Sequence, residues 1–220
     1  MKKIITSLCL ALIAVTGMAQ SPLTFHAKAG IGTSRFWGKH SSSETKIAYK
    51  VGAGAEYALN RTWAVQSALE FVSIGGRDEL PGIGNARMNE LYLQVPLLMS
   101  ARLHLGKKYH AALSAGPYIA CGIGGKTSGE QFNEHSDLGN YRFKVDTFGS
   151  MQEGNMGTKR MDAGIMLALT LEYHRFIFGA DMQIGLAKVN EQINQLRGYS
   201  GGGSYLPKNF AAFFNAGYRF

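Results

Sequence analysis

Cysteine is nearly absent from this 220-residue chain, with Cys9 and Cys121 the only two. Cys9 falls inside an N-terminal leader, so the mature chain keeps one thiol and no intramolecular disulfide framework can hold its fold. Long apolar runs are missing as well. Beyond Ile4 to Val15, no stretch approaches the ~20 apolar residues a membrane-crossing helix needs, which excludes a helical membrane protein. The leader itself, MKKIITSLCLALIAVTGMAQ, joins Lys2 and Lys3 to that short apolar run and to a small-residue site at Gly17-Met18-Ala19. This is the layout of a secretory signal peptide. Cys9 lies within the run and not at its end, which argues against lipoprotein processing. The expectation is a signal peptide over residues 1–19 and one mature domain over residues 20–220.

The formal charge of +8 falls to +6 once Lys2 and Lys3 leave with the signal. Such an excess suits an anionic partner only if it is concentrated, and no basic run or basic-aromatic stripe is present; nucleic-acid binding is not expected.

What the chain has in abundance is alternation. From Asn89 to Leu105, NELYLQVPLLMSARLHL places Leu91, Leu93, Val95, Leu97, Met99, Ala101 and Leu103 on one parity and Glu90, Tyr92, Gln94, Ser100, Arg102 and His104 on the other. Period two over this length predicts a long strand with one apolar and one polar face. Seven further stretches read the same way, over residues 23–34, 47–59, 62–74, 109–123, 161–173, 176–186 and 210–220. Connections alternate too: short at Asn60-Arg61, Gly106 to Lys108 and His174-Arg175, long at 35–46, 75–88, 126–160 and 188–208. The predicted fold is an all-β, eight-stranded antiparallel transmembrane barrel, an up-and-down meander with short periplasmic turns and long extracellular loops. Closure satisfies the backbone groups that lipid cannot.

Charge placement agrees with this reading. The polar strand faces take Lys28, Lys50, Arg102 and Arg219 with Glu56, Glu70, Glu90, Asp162, Glu172 and Asp181, and the other charges of the mature chain fall in loops, turns or loop edges. None lies on an apolar face, where Lys or Arg at mid-bilayer costs ~2–4 kcal/mol. A soluble sandwich would show the reverse pattern. In an eight-stranded barrel the bore only just admits side chains, so inward glycines are expected to make room beside Tyr92, Tyr118 and the charged groups. The ten charged residues, with Gln66, Gln94 and Gln183, then form a hydrogen-bonded plug in place of an open pore. Asn60 centres the first short turn, which predicts Lys50 directly opposite Glu70.

ELYLQVPLLM (Glu90 to Met99), GPYIACGIGG (Gly116 to Gly125) and the terminal AGYRF (Ala216 to Phe220) resemble the PorT-like outer-membrane β-barrel family of Bacteroidetes-type bacteria. Tyr-Leu-x-x-Pro-Leu-Leu is the most specific part. The resemblance implies an outer-membrane location in a Gram-negative envelope, with lipid and lipopolysaccharide around the barrel. It also implies a C-terminal assembly signal at Phe214, Gly217, Tyr218 and Phe220 for the barrel-insertion machinery. It implies fold and location more strongly than activity. The expected role is non-enzymatic, in envelope structure or surface interaction. An accessory role in protein secretion, a small pore and an outer-membrane hydrolase are the alternatives.

Three motifs have sharper readings. ACGIGGKT (Ala120 to Thr127) fits a loose phosphate-binding pattern, but that chemistry needs a helix after the glycines, and SGEQFNEHSDLGNYRF has no apolar residues at helical spacing. No nucleotide or other cofactor is expected. His26, His104, His110 and His174 gather toward the short-turn end without zinc-ligand spacing, so no metal is expected. Glu134-His135-Ser136 and His40 with Ser41 to Ser43 and Glu44 supply hydrolase residue types, but on loops; rigid strand ends would be the better platform for a catalytic site. GYSGGGSYLP (Gly198 to Pro207) is loop-tip composition.

Overall fold

The computed structural model describes residues 22–38, 43–80, 84–106, 108–131, 141–190 and 207–220. The signal peptide, His40 to Ser42, Glu134-His135-Ser136 and residues 198–206 of the glycine-rich stretch lie outside them. Ten strands are present among the described residues: β1 (Leu23–Trp37), β2 (Lys46–Ala58), β3 (Trp63–Leu80), β4 (Gly84–His104), β5 (Tyr109–Gly124), β6 (Lys126–Gln131), β7 (Tyr141–Asp146), β8 (Met161–Tyr173), β9 (Phe176–Gly185) and β10 (Lys208–Arg219).

Eight of them form the barrel. Each of β1 to β5 and β8 to β10 pairs antiparallel with its chain neighbour, β5 skipping the insertion to reach β8, and β1 pairs with β10 to close the ring. The outer surface is apolar: Ile31, Val51, Leu69, Leu97, Leu113, Ile119, Leu169, Phe178 and Phe214 are all exposed, and Cys121 lies on the same surface. The inner surface carries the polar parity, as the period-two pattern requires.

Two long connections are not loops. β3 and β4 keep pairing beyond the barrel, from Gly75↔Asn89 to Leu80↔Gly84. The expected loop over 75–88 is thus a projecting hairpin. In the insertion between β5 and β8, β6 pairs with β4 and with β7, which adds two strands to that projection. Glycines serve the pairing in both places: Gly75 and Gly125 adopt φ +136 and +145, and each approaches backbone of the β4 segment too closely for a side chain.

The turn between β2 and β3 is centred one residue later than expected, on Arg61 and not on Asn60. Asn60 Oδ1 accepts from the backbone N–H of both Thr62 and Trp63 at 2.8 Å, an Asx-type cap that holds a four-residue connection. The register therefore pairs Lys50 with Val72 and Glu70 with Gly52. Lys50 and Glu70 are diagonal neighbours, not direct ones. Within the ring, Pro96 and Pro117 sit on adjacent strands, where proline can donate no ladder bond; the Pro96 carbonyl accepts from Ser67 Oγ at 2.8 Å.

Candidate functional site: the barrel interior

The inward side chains stack in layers along the bore. At the short-turn end, Arg102 and Arg219 both reach Glu56, and Arg219 also pairs with Glu172. One glutamate on β2 thereby ties β4 and β10 together. His104 and His110 are cross-strand partners with rings 4.8 Å apart, and His174 stacks on Tyr173 in the next turn. Among the described residues no group of three or more His, Cys, Asp or Glu is placed to hold a metal.

Above this layer, Gln66 donates to Ser100 and Ser114 at 2.8 and 2.7 Å, and the two hydroxyls are 2.8 Å apart. Three adjacent strands meet in that triangle. In the middle of the bore, Lys50 Nζ lies 2.6 Å from Asp181 and 3.4 Å from Glu70. Gln94 donates to Glu70 at 3.1 Å and Asn215 to Asp181 at 2.6 Å. Since β2 and β9 are separated by β1 and β10 on the shorter path round the ring, the Lys50–Asp181 bond crosses the lumen. Lys28 shares this layer beside a cavity of about 40 Å³, which it lines with His26, Lys50, Glu70 and Asp181. That volume suits a few water molecules at most.

Glycines fit the large groups into the bore. Lys28 stands between Gly52 and Gly217 in register, and Asn215 between Gly30 and Gly179. A Cβ at Gly30 would come within 2.2 Å of Asn215 Oδ1.

At the long-loop end, Asp162 accepts from Asn209 at 3.0 Å and from Tyr118 at 3.3 Å, while Tyr92 donates to Glu90 at 3.2 Å. Tyr92, the first residue of the most specific stretch of the family resemblance, thus points inward. Lys46 is buried as well and donates to the Ile74 carbonyl at 3.0 Å. This corrects its expected place at a loop edge and raises the inward cations to five. The interior is also less uniformly polar than expected, because Val72, Tyr92, Leu98, Met166 and Phe213 form a buried apolar cluster among these groups.

Phe148, from the insertion between β5 and β8, closes that cluster from above. Its ring meets Tyr92 edge-on at 5.4 Å, and a Cβ at Gly122 would come within 2.4 Å of it. Gly122 belongs to ACGIGGKT, whose glycines therefore seat an aromatic ring and start a strand, β6, where a phosphate-binding loop needs a helix. Parity reasoning missed Phe148, because a residue in a long insertion has no face to be read from.

The outer membrane protein beta-barrel domain matches residues 18–191. The chain belongs to this family. As an outer-membrane barrel it is similar in extent to three solved structures. The attachment invasion locus protein Ail of Yersinia pestis is 13% identical, with 90% of this chain and 98% of that chain covered and a TM-score of 0.41. Neisserial surface protein A is 12% identical, with 89% and 95% covered and a TM-score of 0.42. The N-terminal β-barrel domain of Pseudomonas aeruginosa OprF is 14% identical, with 89% and 97% covered and a TM-score of 0.35. No curated relative matches the chain.

Proposed function

We propose that this protein is an ion-tight, non-enzymatic outer-membrane barrel, its interior a hydrogen-bonded core and its extracellular projection the part that meets the envelope surface. The supporting observation is the Lys50–Asp181 bond across the lumen, with Glu70, Gln94 and Asn215 attached to it. Desolvated groups cross-linked in this way pack as a polar core and leave no water column, although Asp181 Oδ1 and Asn215 Oδ1 are buried without a hydrogen-bond partner. In this reading the signal peptide is removed near Gln20, and Phe214, Gly217, Tyr218 and Phe220 present the segment that the insertion machinery reads.

Planar-bilayer recording tests the reading: the folded barrel is expected to give no steady conductance, and wild-type channels of constant size would establish the pore alternative. The same preparation is expected to leave phospholipid, lipid A acyl chains and peptides unhydrolysed. Turnover abolished by His135→Ala or Ser136→Ala would establish the hydrolase alternative. The PorT-like resemblance of Glu90 to Met99 favours a second reading, an accessory role in protein secretion. Unimpaired secretion in a deletion strain would remove it.

A further inference from the structure

Beyond the barrel, β3, β4, β6 and β7 form one sheet whose outward face is polar. Its register sets Arg77 opposite Arg87, Arg87 opposite Ser128, and Ser128 opposite Lys144. All three cations are exposed. Cross-strand partners point to the same side of a sheet, so these four residues make a single row across four strands, about 15 Å long at the usual strand spacing. Like charges directly opposite one another destabilise a sheet, yet here two arginines meet with a lysine two strands further on. The remaining neighbours cancel them only in part. Glu44 is Arg77's bridge partner on its other side and ends the row with one carboxylate, leaving a net charge of +2 along it, while Lys126 pairs with Asp146 at 2.6 Å and Arg142 with Glu130 at 2.7 Å in the flanking rows. Arg35 and Lys208, elsewhere at this end, lie over the rings of Phe210 and Trp37. No ion pair or ring contact engages the side chains of Arg77, Arg87 or Lys144 among the described residues.

The row also has a defined height. Arg87 lies four residues beyond Leu91, the last apolar residue on the outward parity of β4. At about 3.3 Å per residue and a tilt of roughly 40°, that is about 10 Å above the apolar band, the level of the outer-leaflet headgroups. We propose that Arg77, Arg87, Ser128 and Lys144 form a binding site for the phosphate groups of the glycolipid that surrounds the barrel in the outer leaflet. Guanidinium groups hold phosphate oxygens in pairs, and the serine hydroxyl adds a donor between Arg87 and Lys144. The site rests on the outer-membrane reading and is independent of whether the bore conducts.

The test uses the mature full-length protein folded into phosphatidylcholine nanodiscs and offered bis-phosphorylated lipid A or the same lipid treated with phosphatase. Native mass spectrometry counts the lipid retained. The wild type is expected to retain the phosphorylated lipid about tenfold better, a preference on the scale of a single strong charge-assisted contact. Arg77→Gln/Arg87→Gln/Lys144→Gln is expected to lose that preference, Arg87→Gln alone to weaken it, and Lys126→Gln/Arg142→Gln to keep it. Equal retention of the two lipids by the wild type, or an unchanged preference in the triple and single variants, overturns the site. Displacement of the lipid by an equal concentration of inorganic phosphate assigns the row to free anions and overturns the glycolipid source. Failure of the wild type to insert overturns the site together with the membrane reading, whereas insertion without lipid preference overturns the site alone.

Discussion

Lys50 stands where a single side chain decides the character of the bore. Its ammonium serves two carboxylates, Asp181 at 2.6 Å and Glu70 at 3.4 Å, in a region with only a small adjoining cavity. Lys50→Met removes the cation and leaves both acids buried. Urea unfolding in detergent micelles is expected to show a loss of about 3–5 kcal/mol, the cost of breaking a buried pair from one side. A loss of only ~0–1 kcal/mol, as for exposed pairs, would mean that water fills the bore. Which face of each strand is polar was legible in the sequence, because period two fixes the parity of every strand. Which inward residues pair was not. Register depends on the turn, and one hydrogen-bonded Asn60 side chain was enough to move Glu70 from opposite Lys50 to opposite Gly52. Lys46 escaped for a related reason: it opens β2, where the end of the strand and the edge of the loop cannot be told apart in sequence.

At the scale of elements, the eight barrel strands were readable and the projection beyond them was not. Alternation is strong where one face meets lipid and the other a packed bore. Past the membrane both faces of a strand can be polar, and GGRDELPGIGNARM has the glycine and proline content of a loop although its residues 75–80 pair with 84–89. What holds the projection is a second apolar cluster of Phe36, Ala86, Met88, Met156 and Val189, against which Phe143 and Val145 pack. Phe148 belongs to the same insertion but anchors it downward, into the barrel mouth. Phe148→Ala is expected to remove about 3–5 kcal/mol of that anchoring while the barrel strands stay paired. Limited proteolysis should then cut within residues 125–160 much faster than in wild type, with the rest of the chain still resistant. Simultaneous loss of barrel resistance would show that the insertion and the barrel are a single cooperative unit.

For the molecule as a whole, the inverted surface was the most legible property of all, since it needs only the sign of each parity and the absence of charge from one of them. Closure follows from it: a sheet in lipid cannot leave an edge unpaired. The closing seam joins β1 to β10, from His26↔Arg219 to Trp37↔Lys208, so the first barrel strand and the last are each other's partners. That arrangement imposes an order in time. While the chain is being made and carried across the envelope, β1 has one edge with no partner, and it stays so until the final strand of the barrel has arrived. Contacts this distant in sequence form slowly, and a ribbon with two open edges in water invites pairing with any other such ribbon. The interval between export and closure is therefore the hazardous part of this protein's life, and its apolar face needs custody throughout that interval.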